Sequence, residues 1–590
     1  MSNVSPIENQ NFHDAGGIVD NILNVTFYIK YFNQRPKNVK IQVVDTPITQ
    51  SVDLQSQGLN LGLSKYSEAL IKTFILGTPK PPPANIPKLI VSQTVSFAAF
   101  LYEKMRNAIE YREEHLIRRA AIERILKRRL VLNANGKGIA DNLIKELLWA
   151  RYMENNSVPE EMIPTVQGII DKYFYLRNEI TGGRPEKEKT GLTLFIMELL
   201  SAEIEERLAP NPRREAFTNY VYQVLRPKVA FWEKPEEEKD IQVYIAVERS
   251  FAKSDPPLIR YHLFRLLLPD FINMTWQDVD RILPKFYDIY KAIEKEFYHP
   301  LGEQLRRFVK KNLAPFLILR DLFEANPNNI SEILHDDAKL KFKTDEICRK
   351  KYQETGAKLR RAGVRSFIYI VLTKIIFAVA IEVPVDIYLT GRIAYLPVAV
   401  NLFFPALVMA AIVSLVGVPG QDNTKRIYEH LKTILVEDPD DPVASHDKLV
   451  LGRTARQTSA FLTVGFSLVY ALAFVFSFGT IFYILSSLGF NLASQTVFIF
   501  FLTLVTFFGY RIRQISTEYQ VMDKEGALSP LGDFFLLPIL GVGKWLSGEI
   551  SRLNLFIFIF DFIIEAPFKA LFEVLEEWFH FVRVKKEEMV

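Results

Sequence analysis

The sequence predicts an all-α integral membrane protein with a large helical N-terminal domain on the cytoplasmic side. Four apolar runs, each close to the roughly 20 residues that a helix needs to cross a bilayer, predict transmembrane helices arranged as two hairpins. These runs are 366–390, 394–418, 459–485 and 489–510. Before them, apolar residues recur with helical spacing and convincing strand alternation is absent, which predicts the helical domain.

Length and composition limit the classes of protein that fit. With 590 residues the chain exceeds the size at which one hydrophobic core keeps growing, so at least two folding units are expected. The formal net charge of +4 is small for this length, so no nucleic-acid partner is expected. The single cysteine, Cys348, cannot form an intramolecular disulfide, which fits a reducing compartment.

The charges beside the apolar runs predict how the chain is oriented. Lys and Arg are retained on the cytoplasmic side of membrane spans, and they precede the first run, fill the loop 419–458 and follow the fourth run. The two opposite loops carry only Arg392. The first thirty residues lack the pattern of a cleaved secretory signal. We therefore expect the protein to be integral to a cellular membrane, namely the cell membrane, with both termini in the cytoplasm.

The N-terminal part divides by composition. Residues 1–77 are polar, with possible short strands at 25–31 and 39–44, and residues 78–88 form a proline-rich linker because proline fixes φ and lacks a donor. The helical domain is predicted over 89–362. The four-span domain follows over 363–512 and contains the cytoplasmic loop 419–458.

A long helical pattern opens the predicted helical domain over 89–130. A straight helix of this length would reach roughly 60 Å, at about 1.5 Å per residue, so it protrudes or bends near 111–114. It ends in Lys127, Arg128 and Arg129, which suit the negative end of a helix dipole. A nucleic-acid or lipid-headgroup patch is the alternative interpretation of this basic helix end.

Two later helix starts carry capping signals. Ser157 followed by Pro159 predicts a cap and an early proline, and Thr275 with Asp278 resembles a capping box. Both signals belong to helices of the predicted helical domain.

Motifs for chemistry are absent. Eight histidines contain no pair at the spacing of a helical zinc site, no phosphate-binding loop is complete, and no nucleophile elbow occurs. We therefore predict no catalytic, cofactor-binding or metal-binding residues and no cofactor. Enzymatic activity is uncertain, and the sequence favours its absence.

Polar residues inside the first two spans need an explanation. They are Lys374, Glu382, Asp386 and Asn401, and a charge at the centre of a bilayer costs on the order of 3 kcal/mol by insertion scales. One interpretation is a small polar cavity that conducts or binds a proton or cation. The other is structural: Asp386 reaches the outer interface, Lys374 extends towards the inner one, and Glu382 pairs between spans.

Small residues predict where the spans approach each other. Ala406, Ala410 and Ser414 recur every four residues in the second span, and Ser467 and Ala471 do so in the third. Small residues at this spacing let two helices pack closely.

The C-terminal region 513–590 is predicted to be helical and to lie at the cytoplasmic interface. Phe534–Val542 is too short to span and contains Pro538, so it dips into the interface or forms buried core. An amphipathic interfacial helix is predicted over 553–584, with a mostly acidic stripe facing the basic helix end or another subunit. The stripe consists of Asp561, Glu565, Lys569, Glu573 and Glu577.

Three functions are compatible with these features. The first is a membrane-anchored helical scaffold, adaptor or assembly component that recruits protein partners on the cytoplasmic side. The second is an oligomeric channel or transporter subunit that passes protons or cations by Glu382 and Asp386. The third is a membrane-associated enzyme, for which a cleft with convergent titratable groups would be the distinguishing feature. The expected partners are the lipid bilayer and either another protein or further copies of the chain.

Overall fold

The computed structural model describes most of the chain beyond residue 60. The described ranges are 61–77, 86–107, 114–132, 136–232, 236–391, 393–441, 448–451, 460–521 and 529–552, with single positions at 574, 578, 581, 582 and 585. Residues 1–60 of the polar segment, with the possible strands at 25–31 and 39–44, lie outside the described residues, as do most of the proline-rich linker and the acidic stripe of 553–584. The predicted bend near 111–114 also falls outside the described residues, except for Glu114.

The described chain is helical almost throughout, which confirms the predicted all-α class. The helices before the spans are α1 (Lys65–Leu76), α2 (Gln93–Asn107), α3 (Glu114–Leu132), α4 (Ile139–Trp149), α5 (Met162–Thr181), α6 (Glu186–Leu208), α7 (Pro212–Leu225), α8 (Glu236–Val247), α9 (Pro256–Leu267), α10 (Leu283–Phe297), α11 (Gly302–Lys311), α12 (Leu313–Ala325) and α13 (Ile330–His335). The later helices are α14 (Asp337–Phe377), α15 (Val383–Thr390), α16 (Tyr395–Leu415), α17 (Gln421–Val436), α18 (Ala460–Ser487), α19 (Leu492–Ser516) and α20 (Ser529–Arg552). A parallel pair of three-residue strands, β1 (Val229–Phe231) and β2 (Leu449–Leu451), joins distant parts of the chain.

Helices α1–α13 form a helical domain around two hydrophobic cores. The first core takes its buried residues from 89–297, mainly from α3–α6 and α9–α10. The second core takes them from α1, α7, α8 and α11–α14. Burial of apolar area, at about 25 cal/mol per Å², is the main force that holds such layers together.

One helix carries the chain from the helical domain into the first apolar run. Helix α14 is 41 residues long and continues through a π-helical turn, Ala378–Glu382, into α15. Pro384 lies in the first turn of α15, where its missing N–H removes a helical hydrogen bond, and a π-helical turn is a common local solution. No break in helical structure therefore separates the domain from the first span.

Four helices are apolar and long enough to cross a membrane, in agreement with the four predicted runs. They are Asp337–Tyr388, Tyr395–Ser414, Val464–Ser487 and Leu492–Gln514. Most of their apolar side chains face outward, as expected of helices that contact lipid. The turns at the far ends of the two hairpins contain Gly391 and Gly489, both with positive φ, a conformation that glycine adopts without strain.

The loop between the second and third spans folds onto the helical domain. Helix α17 buries Ile427, Leu431 and Leu435 in the second core. The strand β2 from the same loop pairs with β1 in the register Val229 to Leu449. The acidic turn after α17 also docks, because Lys65 Nζ lies 2.8 Å from Asp440 Oδ2.

The segment after the fourth span is attached to α17, at the end of the spans that adjoins the helical domain. Asn423, at the start of α17, donates to the Tyr519 carbonyl at 2.8 Å and accepts from the Val521 backbone N–H at 2.8 Å. Its amide also donates to Tyr352 Oη, on α14, at 2.7 Å. One side chain therefore joins the segments beside the first, second and fourth spans.

Helix α20 packs along the third and fourth spans. It continues through Pro538, and its residue Gly543 lies against the backbone of Thr503, near the middle of the fourth span. The described helix is longer than the apolar stretch Phe534–Val542 considered from sequence. Among the described side chains of that stretch, Leu536 and Leu537 are about half exposed and Pro538 alone is buried, so its placement in the interface or in buried core stays a prediction.

Candidate functional sites

The four polar residues predicted inside the spans are all buried, and the structure divides them into two groups. Lys374 Nζ donates to Asn401 Oδ1 and lies 3.5 Å from Glu382 Oε1. The ammonium also lies over the Phe501 ring, 4.3 Å from its centre. Lys374, Glu382 and Asn401 therefore form one cluster, the intramembrane cluster, between the first, second and fourth spans.

The fourth span completes this cluster, which the sequence interpretation did not foresee. Asn401 Nδ2 donates to the Ser494 carbonyl oxygen at 3.2 Å. One carboxylate oxygen, Glu382 Oε2, is buried without a hydrogen-bond partner among the described residues. The cluster can hold three spans in register, and it leaves one acceptor for a proton or a small polar group.

Asp386 belongs to a separate group at the far end of the spans. Its carboxylate accepts from Asn491 Nδ2 and from the Ala394 backbone N–H at 3.1 Å. Asn491 in turn caps α19, because its Oδ1 accepts from the Ser494 backbone N–H at 2.8 Å. Glu382 and Asp386 lie four residues apart, yet they bind different partners. Asp386 links the two hairpin turns.

The basic helix end is largely occupied by acidic partners within the helical domain. Arg129 Nη2 lies 2.7 Å from Glu146 Oε1, and Arg128 pairs with the other oxygen of this buried carboxylate. Lys127 lies 2.6 Å from Glu123, and its side chain is half exposed. The two arginines therefore hold α3 against α4, and Lys127 presents its charge to the surface.

The predicted partner-facing stripe, with all five of its residues, lies outside the described residues. Its proposed contact with the basic helix end therefore stays a prediction. The pairing of Arg128 and Arg129 with Glu146 leaves Lys127 as the most exposed cation of that end.

A cavity that the sequence did not predict lies between the two cores of the helical domain. It has a volume of about 390 Å³ and is lined by α3, the turn from α6 to α7, the π-helical turn Glu248–Ala252 and α9. Its wall carries His115 and His262, which are far apart in sequence. We call it the interdomain-core cavity. It has the convergent titratable groups expected of the enzyme alternative.

A closed ion cluster forms one wall of this cavity. His262 Nε2 lies 2.6 Å from Glu206 Oε1, and His262 Nδ1 lies 3.2 Å from Glu248 Oε1. Burial alone lowers the pKa of His262, but the two carboxylates outweigh it and raise the pKa to about 10. Burial likewise works against the charge of Glu248, yet His262 and Ser254 lower its pKa to about 2. The imidazole is therefore a cation at neutral pH.

Two further residues of the lining carry buried nitrogens without a hydrogen-bond partner in the described part of the chain. Arg118 pairs with Glu205 at 2.7 Å, but its Nε is buried without a hydrogen-bond partner among the described residues. His115 Nε2 is also buried without a hydrogen-bond partner among the described residues. Burial, followed by the charges of Arg214 and Arg118, lowers the pKa of His115 to about 3, so this imidazole is neutral.

No sequence signal pointed to this cavity. Its lining comes from five separate stretches, which begin at Gly77, His115, Glu205, Glu248 and His262, and no pair of its titratable groups has the spacing of a known motif. A search for charge clusters at helix starts would have noted Arg213, Arg214 and Glu215 in the first turn of α7, but such runs are usually solvated.

The groups of His, Cys, Asp and Glu in the described part of the chain include none arranged to hold a metal ion. In comparisons with known proteins, no family model matches the chain, no curated protein is similar to it, and no solved structure is similar to it. Functional proposals therefore rest on the geometry of its own residues.

Proposed function

We propose that the chain is a membrane-anchored scaffold or adaptor whose helical domain lies on the cytoplasmic side and recruits protein partners there. The observation that carries the proposal is the multiple attachment of the helical domain to the spans. The domain continues into the first span through α14, takes α17 into its second core and is bonded by Asn423 to the segment after the fourth span.

The attachment supports this function for a mechanical reason. A domain on a flexible linker moves independently of its anchor, whereas a domain joined at three points keeps a fixed orientation to the membrane. The far ends of the hairpins are short, so most of the polar surface belongs to the helical domain. A fixed orientation and a large surface on one side suit a protein that positions partners.

The test is purification of the full chain in mild detergent, with quantification of co-purifying proteins. Phe97 and Leu101, one turn apart on α2 and both about half exposed, are the apolar surface residues to change. We expect a stoichiometric partner with the natural chain and a loss of about tenfold or more in its recovery with Phe97→Ser and Leu101→Ser together, since interface anchors dominate binding.

The matched control is Leu194→Ser, which removes an exposed leucine from α6 and should leave recovery unchanged. A natural chain that is recovered without any stoichiometric partner would contradict the scaffold function. A symmetric homo-oligomer with a central polar lining would support the channel instead.

The second candidate is a channel or transporter subunit, favoured by the unpartnered buried oxygen of Glu382. Four spans are few for a complete pathway, so this function requires several copies. Glu382→Gln combined with Asp386→Asn should abolish proton or cation flux in vesicles. Flux equal to that of the natural chain would eliminate a role for both carboxylates.

A further inference from the structure

We infer that the interdomain-core cavity binds a small molecule with an oxyanionic group, a carboxylate or a phosphate, through Arg214, with Arg118 and His115 as additional donors. This inference goes beyond the scaffold function and does not depend on it. The cavity lies within the helical domain and outside the intramembrane cluster.

The space suits a small molecule. Ligand cavities in proteins are typically about 300–1,000 Å³ and favour the junctions between structural units. The interdomain-core cavity has a volume of about 390 Å³ and lies where the two hydrophobic cores meet. It is too small for a macromolecule and large enough for a compact metabolite.

Most carboxylates of the wall already have cationic partners. Glu205 pairs with Arg118 at 2.7 Å, and Glu206 is bound by His262 at 2.6 Å and by Arg265 at 2.6 Å. These carboxylates therefore have little capacity left for a bound cation.

Glu248 is held in the same way. It lies 3.2 Å from His262 and accepts from Ser254 Oγ at 2.5 Å. Glu215 also lines the cavity. Burial together with the nearby Glu206 raises its pKa, so this carboxylate is protonated more readily than a solvated one.

The charge of Arg214 acts on the four glutamates of the wall, but this arginine pairs closely with none of them. Its guanidinium makes one side-chain hydrogen bond within the described part of the chain, from Nη2 to Ser254 Oγ at 3.3 Å. None of the ion pairs within 4 Å in the described residues includes it. An arginine fork matches two oxygens of a carboxylate or phosphate, and this geometry makes an oxyanion its preferred ligand.

Two further groups beside the cavity strengthen the preference for an anion. Arg118 Nε is a donor only, and it is buried without a partner among the described residues. His115 Nε2 is in the same state, and a neutral imidazole donates when this nitrogen carries the proton. A buried donor without an acceptor destabilises the fold, and an oxyanion placed here would supply the missing acceptor.

The electrostatic potential agrees with this assignment. After burial, the charges of Arg214 and Arg118 are the main causes of the low pKa of His115. Glu248 acts in the opposite direction. The two arginine charges favour a negative group beside His115.

The test is isothermal titration of the full chain in mild detergent with inorganic phosphate and, separately, with acetate, at constant ionic strength set by chloride. We expect saturable binding of at least one probe, and the stronger of the two identifies the class of oxyanion. Arg214→Gln should weaken this binding at least tenfold. Arg214→Lys, which keeps the charge but loses the fork, should weaken it less.

The matched control is Arg281→Gln, whose side chain is 78% exposed at another place in the domain, and it should bind like the natural chain. If Arg214→Gln fails to fold, His115→Gln and Arg214→Lys supply the comparison, and the rise in unfolding temperature caused by the probe supplies a second readout. Absence of saturable binding to the natural chain, or equal affinities in the natural chain and the Arg214 variants, would overturn the inference.

Discussion

His262 couples the stability of the helical domain to pH. Glu206 and Glu248 raise its pKa to about 10 despite its burial, whereas an unfolded histidine titrates near pH 6.5. A pKa that is higher in the folded state stabilises the fold fully below about pH 6.5, and the contribution is lost as the pH rises through about 10.

We therefore expect the free energy of unfolding to fall by up to about 1.4 kcal/mol per pH unit between about pH 7 and 10, because the folded state holds one more proton. His262→Gln should flatten this part of the profile. The measurement is denaturant unfolding of the full chain in detergent at several pH values. His430→Gln, at an exposed position, serves as control, and an equal slope for His262→Gln and the natural chain would refute the prediction.

Lys374 has the strongest residue-scale effect that we expect within the spans. Lys374→Met leaves Glu382 buried without its ammonium and Asn401 without its donor, and loss of one partner of a buried pair costs about 3–5 kcal/mol. Adding Glu382→Gln removes the uncompensated charge and should restore part of the stability. A double-mutant cycle measured by unfolding in detergent tests this, and strictly additive losses would mean that the two residues do not interact.

Residue-scale signals in the sequence were reliable where the interaction is local. The predicted capping box of Thr275 and Asp278 is present and opens the short 3₁₀ helix Trp276–Arg281. The cap predicted at Ser157 is wrong, because α5 begins at Met162 and Ser157 Oγ donates to the Glu154 carbonyl instead. The isolated bridge between Lys88 and Pro159 holds this stretch out of the helix, and that contact is not local.

At the scale of helices, the spans approach each other closely at residues that do not belong to the predicted small-residue repeats. Of Ala406, Ala410 and Ser414, only Ala406 is buried. The tight contacts are made by glycines on neighbouring helices. A Cβ on Gly363 would lie 2.6 Å from Val413, and one on Gly509 would lie 2.6 Å from Ile412. The repeat identified a helix that packs closely, but not the face that does so.

Gly543 provides the sharpest test of helix packing. A Cβ at this position would lie 2.3 Å from the Thr503 carbonyl oxygen, so α20 and α19 must separate to accept it. Gly543→Ala should destabilise the chain by about 1–3 kcal/mol, the usual cost of overpacking, as measured by unfolding in detergent. Gly479→Ala, with nothing within 4 Å of its Cβ, should have no such cost. Equal effects of both would argue against the α19–α20 contact.

At the scale of the whole molecule, α17 makes the spans and the helical domain one cooperative unit. Leu431 of α17 is fully buried in the second core, and Leu→Ala at such sites costs about 2–5 kcal/mol. Leu431→Ala should therefore lower the unfolding midpoint of the entire chain in a single transition. Val436→Ala, at the exposed end of the same helix, should change it little. Separate transitions for domain and spans would contradict the coupling.

The attachment of three segments to one end of the spans also yields a prediction of orientation. Lys425, with a side chain 73% exposed, lies at that end, and Tyr395, 79% exposed, begins the second span at the other. With Cys348 buried, we expect a membrane-impermeant maleimide to label Tyr395→Cys on intact cells and Lys425→Cys only after the cytoplasmic face is opened. Labelling of both from the same side would contradict the predicted topology.

The sequence by itself determined the helical class, the four apolar spans and the polar residues within them that need partners. These properties follow from local composition and periodicity, because the cost of placing a charge or an unpaired backbone group in hydrocarbon applies at every position of a span. Tertiary structure decided the rest: the separation of Glu382 from Asp386, the place of α17 in the second core and the meeting of His115, Arg214 and His262 around one cavity. Each of these depends on contacts between distant stretches, and only the packing of the folded chain brings those stretches together.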